Sequence, residues 1–242
     1  MNKRMYAVIV ALSLVAGVAP NAFGATITFS KQAGTIASVS EVRDFRTNGA
    51  MMDGMQVTAY FSASGAAAET SEVLSWADID AVSGGVSGAG WSLRQSGDTF
   101  DASWTLNMNG TATASITRLV IDAGTGNSVF DLTRPSMGTS GSSQGRTFSL
   151  GEGQRRGLSV TYSDLVALDG QSPVGDLYRR LTIDFQDGAL FGPGQSLSFL
   201  ADTDNILTQS AMMAPVPIPA AAWLFGSGLL GLIMVRRGGR QS

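Results

Sequence analysis

Between Thr99 and Met108 the side chains alternate strictly, with Phe100, Ala102, Trp104, Leu106 and Met108 on one side and Asp101, Ser103, Thr105 and Asn107 on the other. A period of two puts the first set on one face of an extended strand and the second in water, the pattern of an antiparallel sheet with one dry side. Asn109-Gly110 follows at once, a dipeptide suited to the positive φ angles of a tight hairpin turn, and the next strand is expected over Ser115 to Asp122. The same alternation recurs from Thr26 (Ile27, Phe29) and over Gln56 to Ser62, and Trp91 to Arg94 reads as another strand. Shorter strands are expected at Ser128 to Leu132, Arg146 to Leu150, Leu158 to Tyr162, Leu181 to Phe185 and Leu197 to Leu200. Ser64 to Asp80 supports two readings, a short helix or a loop that drops Trp76 into the core. About nine or ten short strands with no long amphipathic helix predict an all-β fold: a two-sheet antiparallel β-sandwich, the jelly roll being one admissible form.

The 30 glycines supply the turns such a fold needs. Ser83 to Gly90 has neither the GxGxxG nor the GxxxxGK spacing of a phosphate-cradling loop and reads as a flexible turn region. Arg134 to Gly145, with Pro135 and several Gly and Ser residues, is expected to be the most mobile loop. The chain has no cysteine, so the domain must hold together without disulfides. It has no histidine either, which excludes Ser-His-Asp and Cys-His catalysis and the usual zinc ligand sets.

Both ends differ from the middle. Asn2-Lys3-Arg4, the apolar stretch Tyr6 to Val18 and Pro20 to Gly24 have the three parts of a secretory signal peptide, residues 1–24. Ala22 and Gly24 provide small residues at the −3 and −1 positions, placing cleavage after Gly24. At the other end, Pro215, Pro217 and Pro219 hold an extended spacer before an apolar run, 220–235, that is closed by Arg236, Arg237 and Arg240. Sixteen helical residues span roughly 24 Å against a hydrocarbon core of roughly 30 Å, a mismatch that Trp223 and the snorkelling arginines absorb. The arginines place the C-terminus in the cytoplasm. Between the two ends lies an expected ectodomain, 25–205, followed by a linker, 206–214. This middle carries 11 basic and all 19 acidic residues, a net charge of −8 that repels phosphate backbones and anionic lipid headgroups and argues against nucleic acid as a partner.

Val216-Pro217-Ile218-Pro219-Ala220, then Trp223-Leu224-Phe225-Gly226-Ser227-Gly228, then the arginine stop, resembles the PEP-CTERM family of bacterial sorting signals in its VPLPA-like form, with Ile218 where leucine is usual. The resemblance covers residues 215–240 only. With the N-terminal signal implying export by the Sec translocon and signal peptidase, the resemblance implies transient residence in the inner membrane of a Gram-negative bacterium with the ectodomain in the periplasm. It further implies handling by an exosortase-like transpeptidase and release to the cell surface or exterior, often alongside exopolysaccharide.

Three features of the middle segment bear on chemistry. Asp202-Thr203-Asp204-Asn205 follows an expected strand, and Asp202, Asp204 and Asn205 together offer oxygen ligands to a hard cation such as Ca²⁺, although the glycine and closing glutamate of an EF-hand are missing. The same four residues also make an ordinary Asx-rich turn, with no cofactor at all. Tyr60, Trp76, Trp91, Tyr162 and Tyr178 are the rings able to stack on sugars of an exopolysaccharide if they lie on an exposed sheet face, whereas Trp104 belongs to the core by its alternation. Asp78 with Asp80, and Asp184 with Asp187, are neighbours in sequence, the weakest form of the paired-carboxylate pattern of glycan hydrolysis. The reading that best fits the whole chain is a non-enzymatic structural or adhesive protein of the envelope or matrix. A carbohydrate-binding module is the alternative, and a glycan-active enzyme the third.

Overall fold

A computed structural model describes residues 26–43, 46–63, 68–152, 154, 157–185 and 190–207. The expected signal peptide, the expected sorting motif Val216 to Ala220, the apolar run 220–235 and Arg236, Arg237 and Arg240 lie outside the described residues. Among the described residues no helix is long and apolar enough to cross a membrane.

The chain opens with β1 (Ile27–Gln32) and β2 (Ala37–Val39) and passes through one residue, Ser40, into β3 (Glu41–Arg43). A 3₁₀ turn over Gly49–Met52, whose first amides are capped where Asn48 Oδ1 accepts from the Ala50 amide at 3.0 Å, leads to β4 (Gln56–Ala63) and β5 (Thr70–Ser75). A meander follows: β6 (Ala77–Asp78), β7 (Ser83–Ser87), β8 (Trp91–Ser96) and β9 (Trp104–Met108). The rest comprises β10 (Ala114–Asp122), β11 (Ser128–Asp131), β12 (Ser149–Leu150), β13 (Leu158–Leu168), β14 (Leu177–Phe185), β15 (Ser196–Leu200) and β16 (Thr203–Leu207).

These strands form two sheets that share one apolar core. The smaller has the order β12-β15-β9-β8-β7-β6, and the larger runs β5-β4-β10-β14-β13-β1, with β11 also meeting β14 at Leu177 and Tyr178. Inward residues of β4, β10, β13 and β14, among them Val57, Leu119, Ile121, Val160 and Ile183, face Leu93, Leu106, Leu197 and Phe199 of the smaller sheet. Trp104 sits at the centre, with ring centroids 5.3 Å from Trp76, 6.0 Å from Phe199 and 6.4 Å from Phe130. Its indole nitrogen donates to the Ala201 carbonyl at 2.9 Å, so the one polar atom of a fully buried side chain is satisfied.

The larger sheet also closes on itself. β2 pairs with β13, and β3, one residue later, pairs with β16; β16 pairs with β11, β11 with β14, and β14 with β13. The result is a ring of strands around a second small core of Val39, Val42, Val129, Val166, Leu177 and Ile206. Closure removes exposed edges where the ring forms.

Both β1 and β2 run parallel to β13, a departure from the all-antiparallel expectation. The change of partner from β1 to β2 happens at Asp164, which takes φ 61° while β13 keeps one register with β14 across it. Its carboxylate accepts from the Thr35 amide at 2.9 Å and from Arg180 Nη1 at 2.6 Å. Gly34, at φ 53°, packs so close that a Cβ would lie 2.2 Å from Asp164 Oδ1. Gly34→Ala is therefore expected to lower the unfolding free energy by about 2 kcal/mol in a urea titration, through strain at a positive φ and displacement of that carboxylate.

Other expectations are corrected. The stretch Thr99 to Ser103 is a turn, and the strand starts at Trp104: the Asp98 carboxylate accepts from the Phe100 amide and its carbonyl from Ala102. Phe100 and Ala102 accordingly do not share the core face. Asn109-Gly110 does make a tight turn, with the Ala112 amide donating to the Asn109 carbonyl, but it carries the chain from one sheet to the other and joins no hairpin. Ser83 to Ser87, expected as flexible loop, is strand β7 in the core. Gly84 is there because a Cβ would meet the Gly49 carbonyl oxygen and the Trp76 indole nitrogen, each at 2.2 Å. Of the two readings of Ser64 to Asp80, the described part is β5 and β6 with Trp76 dropped between the sheets, its Nε1 donating to the Gly49 carbonyl at 2.8 Å. Ile206 and Leu207, assigned above to the linker, complete β16.

Candidate functional site

The chain changes sheets between β15 and β16, and that corner brings three carboxylates together. Trp104 holds the Ala201 carbonyl, the Asp202 amide donates to the Arg146 carbonyl, the Arg146 amide to the Asp131 carbonyl, and the Asp131 amide to the Asp202 carbonyl. This three-way backbone stitch fixes the end of β11 beside the start of β16. Ligand oxygens of Asp131, Asp202 and Asp204 then lie within 4.8 Å of one another, and all three residues are buried.

The surroundings stabilise the carboxylates with neutral donors. Asp131 accepts from the Thr133 amide and the Ser142 hydroxyl, both at 2.7 Å. Asp202 Oδ1 accepts from the Thr99 hydroxyl at 2.8 Å and the Thr203 amide at 2.9 Å. Burial nevertheless pushes both carboxyls up, Asp202 to about 7, with the charges of Asp131 and Asp98 adding to the rise. Asp131 moves the same way, chiefly from burial and further from Asp176. Three carboxylates this close in a dry corner cannot all ionise without a counter-charge. The corner can take up a proton, or a hard cation that accepts oxygen ligands and completes its shell with water. A polar cleft of about 610 Å³, lined by Arg46, Asp98, Phe100, Asp101, Gln144 and Asp202, connects it to solvent.

Sequence reasoning anticipated Asp202 and Asp204 but also included Asn205, and the structure separates that residue from them. In an extended segment Asp202 and Asp204 share one side while Asn205 takes the other. The Asn205 amide donates to the Thr47 hydroxyl at 3.0 Å and its carbonyl oxygen accepts from Ser128 at 3.4 Å. Asp131 was missed. Its signal is a lone acid in the apolar run Val129-Phe130-Asp131-Leu132, which marks a buried carboxylate but names no partner.

The loop expected to be mobile, Arg134 to Gly145, is tied to this corner. Asp176 Oδ2 accepts from the Thr133 hydroxyl and the Thr139 amide, its Oδ1 accepts from the Thr139 hydroxyl, and Ser142 reaches Asp131. Gly145 permits the close approach: a Cβ there would fall 2.4 Å from the Asp131 carboxyl carbon.

The proposed sugar-stacking rings are mostly interior. Trp76, Trp91, Tyr162 and Tyr178 are buried in the main core, and so present no face to a ligand. The alternation of β8 and β13 turns Trp91 and Tyr162 inward, where Glu72 accepts from Trp91 Nε1 at 2.6 Å and the Tyr162 hydroxyl accepts from the Phe148 amide at 2.8 Å. Tyr60 alone of the five lies on the outer sheet face, and the Arg118 guanidinium covers it at 3.9 Å from the ring centroid.

Of the acids that neighbour one another in sequence, Asp78 is exposed at the end of β6. Asp80 lies at an exposed turn, where its carboxylate accepts from the Val82 and Ser83 amides and is held below its ordinary value chiefly by the Ser83 side-chain hydroxyl and next by the Val82 amide. Asp184 stands on the outer face, raised by partial burial and by Glu69 against the lowering effect of Arg118, and Asp187 lies outside the described residues. No family model matches the chain, and no curated protein or solved structure matches it either.

Proposed function

We propose that this chain is an exported, non-enzymatic protein of the bacterial envelope or extracellular matrix, delivered by a PEP-CTERM-like tail and serving a structural or adhesive role through a β-sandwich ectodomain. The observation that carries the reading is the order of Val216-Pro217-Ile218-Pro219-Ala220, an apolar run and an arginine cluster at the chain end. Its support in the rest of the molecule is compositional and architectural: a signal-like N-terminus, an acidic middle segment without cysteine, and a strand-rich body whose last described strand ends at Leu207, ahead of Pro215. Intact mass of the protein from cell fractions is the test. The mature species is expected to lack residues 1–24 and the arginine-terminated tail, and Pro217→Ala with Pro219→Ala to leave the tail attached and the protein in the inner membrane. A tail retained in both proteins would refute processing through the motif.

A second reading concerns the sheet-switching corner. The convergence of Asp131 with Asp202 and Asp204 favours a calcium ion that stabilises the ectodomain, with Thr99, Thr133 and Ser142 orienting the carboxylates. The sugar-binding alternative keeps only Tyr60 of its five rings and has no observation in its favour.

A further inference from the structure

We propose that the end of the strand ring carrying Met137 and Val174 rests on the anionic bilayer that the chain's own tail enters. This rests on the reading of residues 220–235 as a membrane span. Met137 is 74% exposed and Val174 61%, and both border a shallow depression of about 420 Å³ together with Lys31, Leu132, Arg134 and Asp176.

The apolar tip is presented by a fixed turn. Arg134-Pro135-Ser136-Met137 closes with the Met137 amide donating to the Arg134 carbonyl at 3.0 Å, and Ser136 takes φ 65° after the proline. Buried Asp176 and Asp131 pin the loop behind it through Thr133, Thr139 and Ser142. Holding a loop this firmly while leaving its methionine in water has a use if a surface receives that side chain.

Charge selects the surface. Lys31 is the only lysine between Met5 and the chain end, in a middle segment of net charge −8, and it stands with Arg134 at this depression. The one carboxylate in the lining, Asp176, is buried and accepts three hydrogen bonds. Apolar side chains flanked by cations match the boundary between acyl chains and anionic headgroups.

The point where the chain leaves the ring agrees. The Leu207 carbonyl accepts from the Ser40 amide at 2.8 Å, and the Ser40 hydroxyl donates to Asp169 at 2.9 Å, the root of the loop that carries Val174. Glu41, the other acid at the exit, is paired with Arg43 at 3.3 Å. Residues 208–219 reach at most about 40 Å when extended, so a span beginning at Ala220 holds the domain near the bilayer at high effective concentration. Even a weak contact is then well populated.

The chain has no cysteine, so single-cysteine labelling of the full-length protein is clean. Met137→Cys, and Val73→Cys on the distant edge strand β5 as control, each carry an environment-sensitive fluorophore in nanodiscs of phosphatidylcholine with or without phosphatidylglycerol. Nitroxide-labelled lipid is expected to quench the probe at 137 several-fold more than at 73 in discs containing phosphatidylglycerol, and Lys31→Glu with Arg134→Glu is expected to abolish the difference. Equal quenching at 137 and 73 in those discs, with the chain co-eluting with them, would overturn the surface contact alone. Failure of the chain to co-elute would overturn the span, and the contact with it.

Discussion

Trp104→Ala is expected to remove about 4 kcal/mol of folding stability, a loss comparable to the whole net stability of many domains, so that the variant is largely unfolded or melts far below the parent. The indole is fully buried between both sheets and meets Trp76, Phe130 and Phe199, so truncation opens a cavity that no single neighbour can fill. It also leaves the Ala201 carbonyl without its donor at the corner where β15 becomes β16. Trp104→Phe separates the two effects: it keeps most of the volume, loses the hydrogen bond, and is expected to cost about 2 kcal/mol. Urea denaturation followed by circular dichroism reads both. A loss below about 1 kcal/mol for the alanine variant would show that the two sheets do not meet around this ring.

In metal-free buffer the melting temperature is expected to fall as the pH rises from about 4 to about 7, because of Asp202. Its carboxyl titrates near 3.8 when unfolded and at about 7 in the folded corner, so the native state holds the proton more tightly. The penalty is absent below the unfolded value, grows through the interval and is complete above the folded value; at full ionisation it is on the order of 4 kcal/mol. Asp131 and Asp184 are shifted the same way and add to the slope, while Asp80 opposes it. Asp202→Asn keeps an acceptor for Thr99 and Thr203 and should flatten the profile while raising the melting temperature at pH 8. Millimolar calcium is expected to reverse the slope, since a cation favours the ionised carboxylates, and Asp202→Ala with Asp204→Ala should remove the calcium-dependent rise. Identical profiles in EDTA and calcium would leave the corner with a proton as its only ligand.

Strands were legible in the sequence where their two faces differ. β4, β10 and β14 alternate because one face meets the core and the other water, and Val57, Leu119 and Ile183 turn inward as their spacing requires. Alternation is no guide where conformation is set by something else. β7 is strand because Gly84 lets two backbones and an indole approach, and glycine has no polarity pattern to reveal it. Thr99 to Ser103 alternates by composition, yet Asp98 folds it into a turn. Asn109-Gly110 specifies a turn but not which sheet receives the next strand. At the candidate site, Asp202 and Asp204 were visible as neighbours, whereas Asp131 reaches them only through the fold.

The ring joins early and late parts of the described chain: β3 hydrogen-bonds to β16, the last described strand. Contacts of such long sequence separation form late, because most of the loop-closure entropy must be met before any of them is made. A chain emerging N-terminus first from a ribosome or a translocation pore therefore cannot complete this domain until residue 207 has cleared the exit. Up to that moment β3 and β11 lack β16 as a neighbour, and the ring stays open.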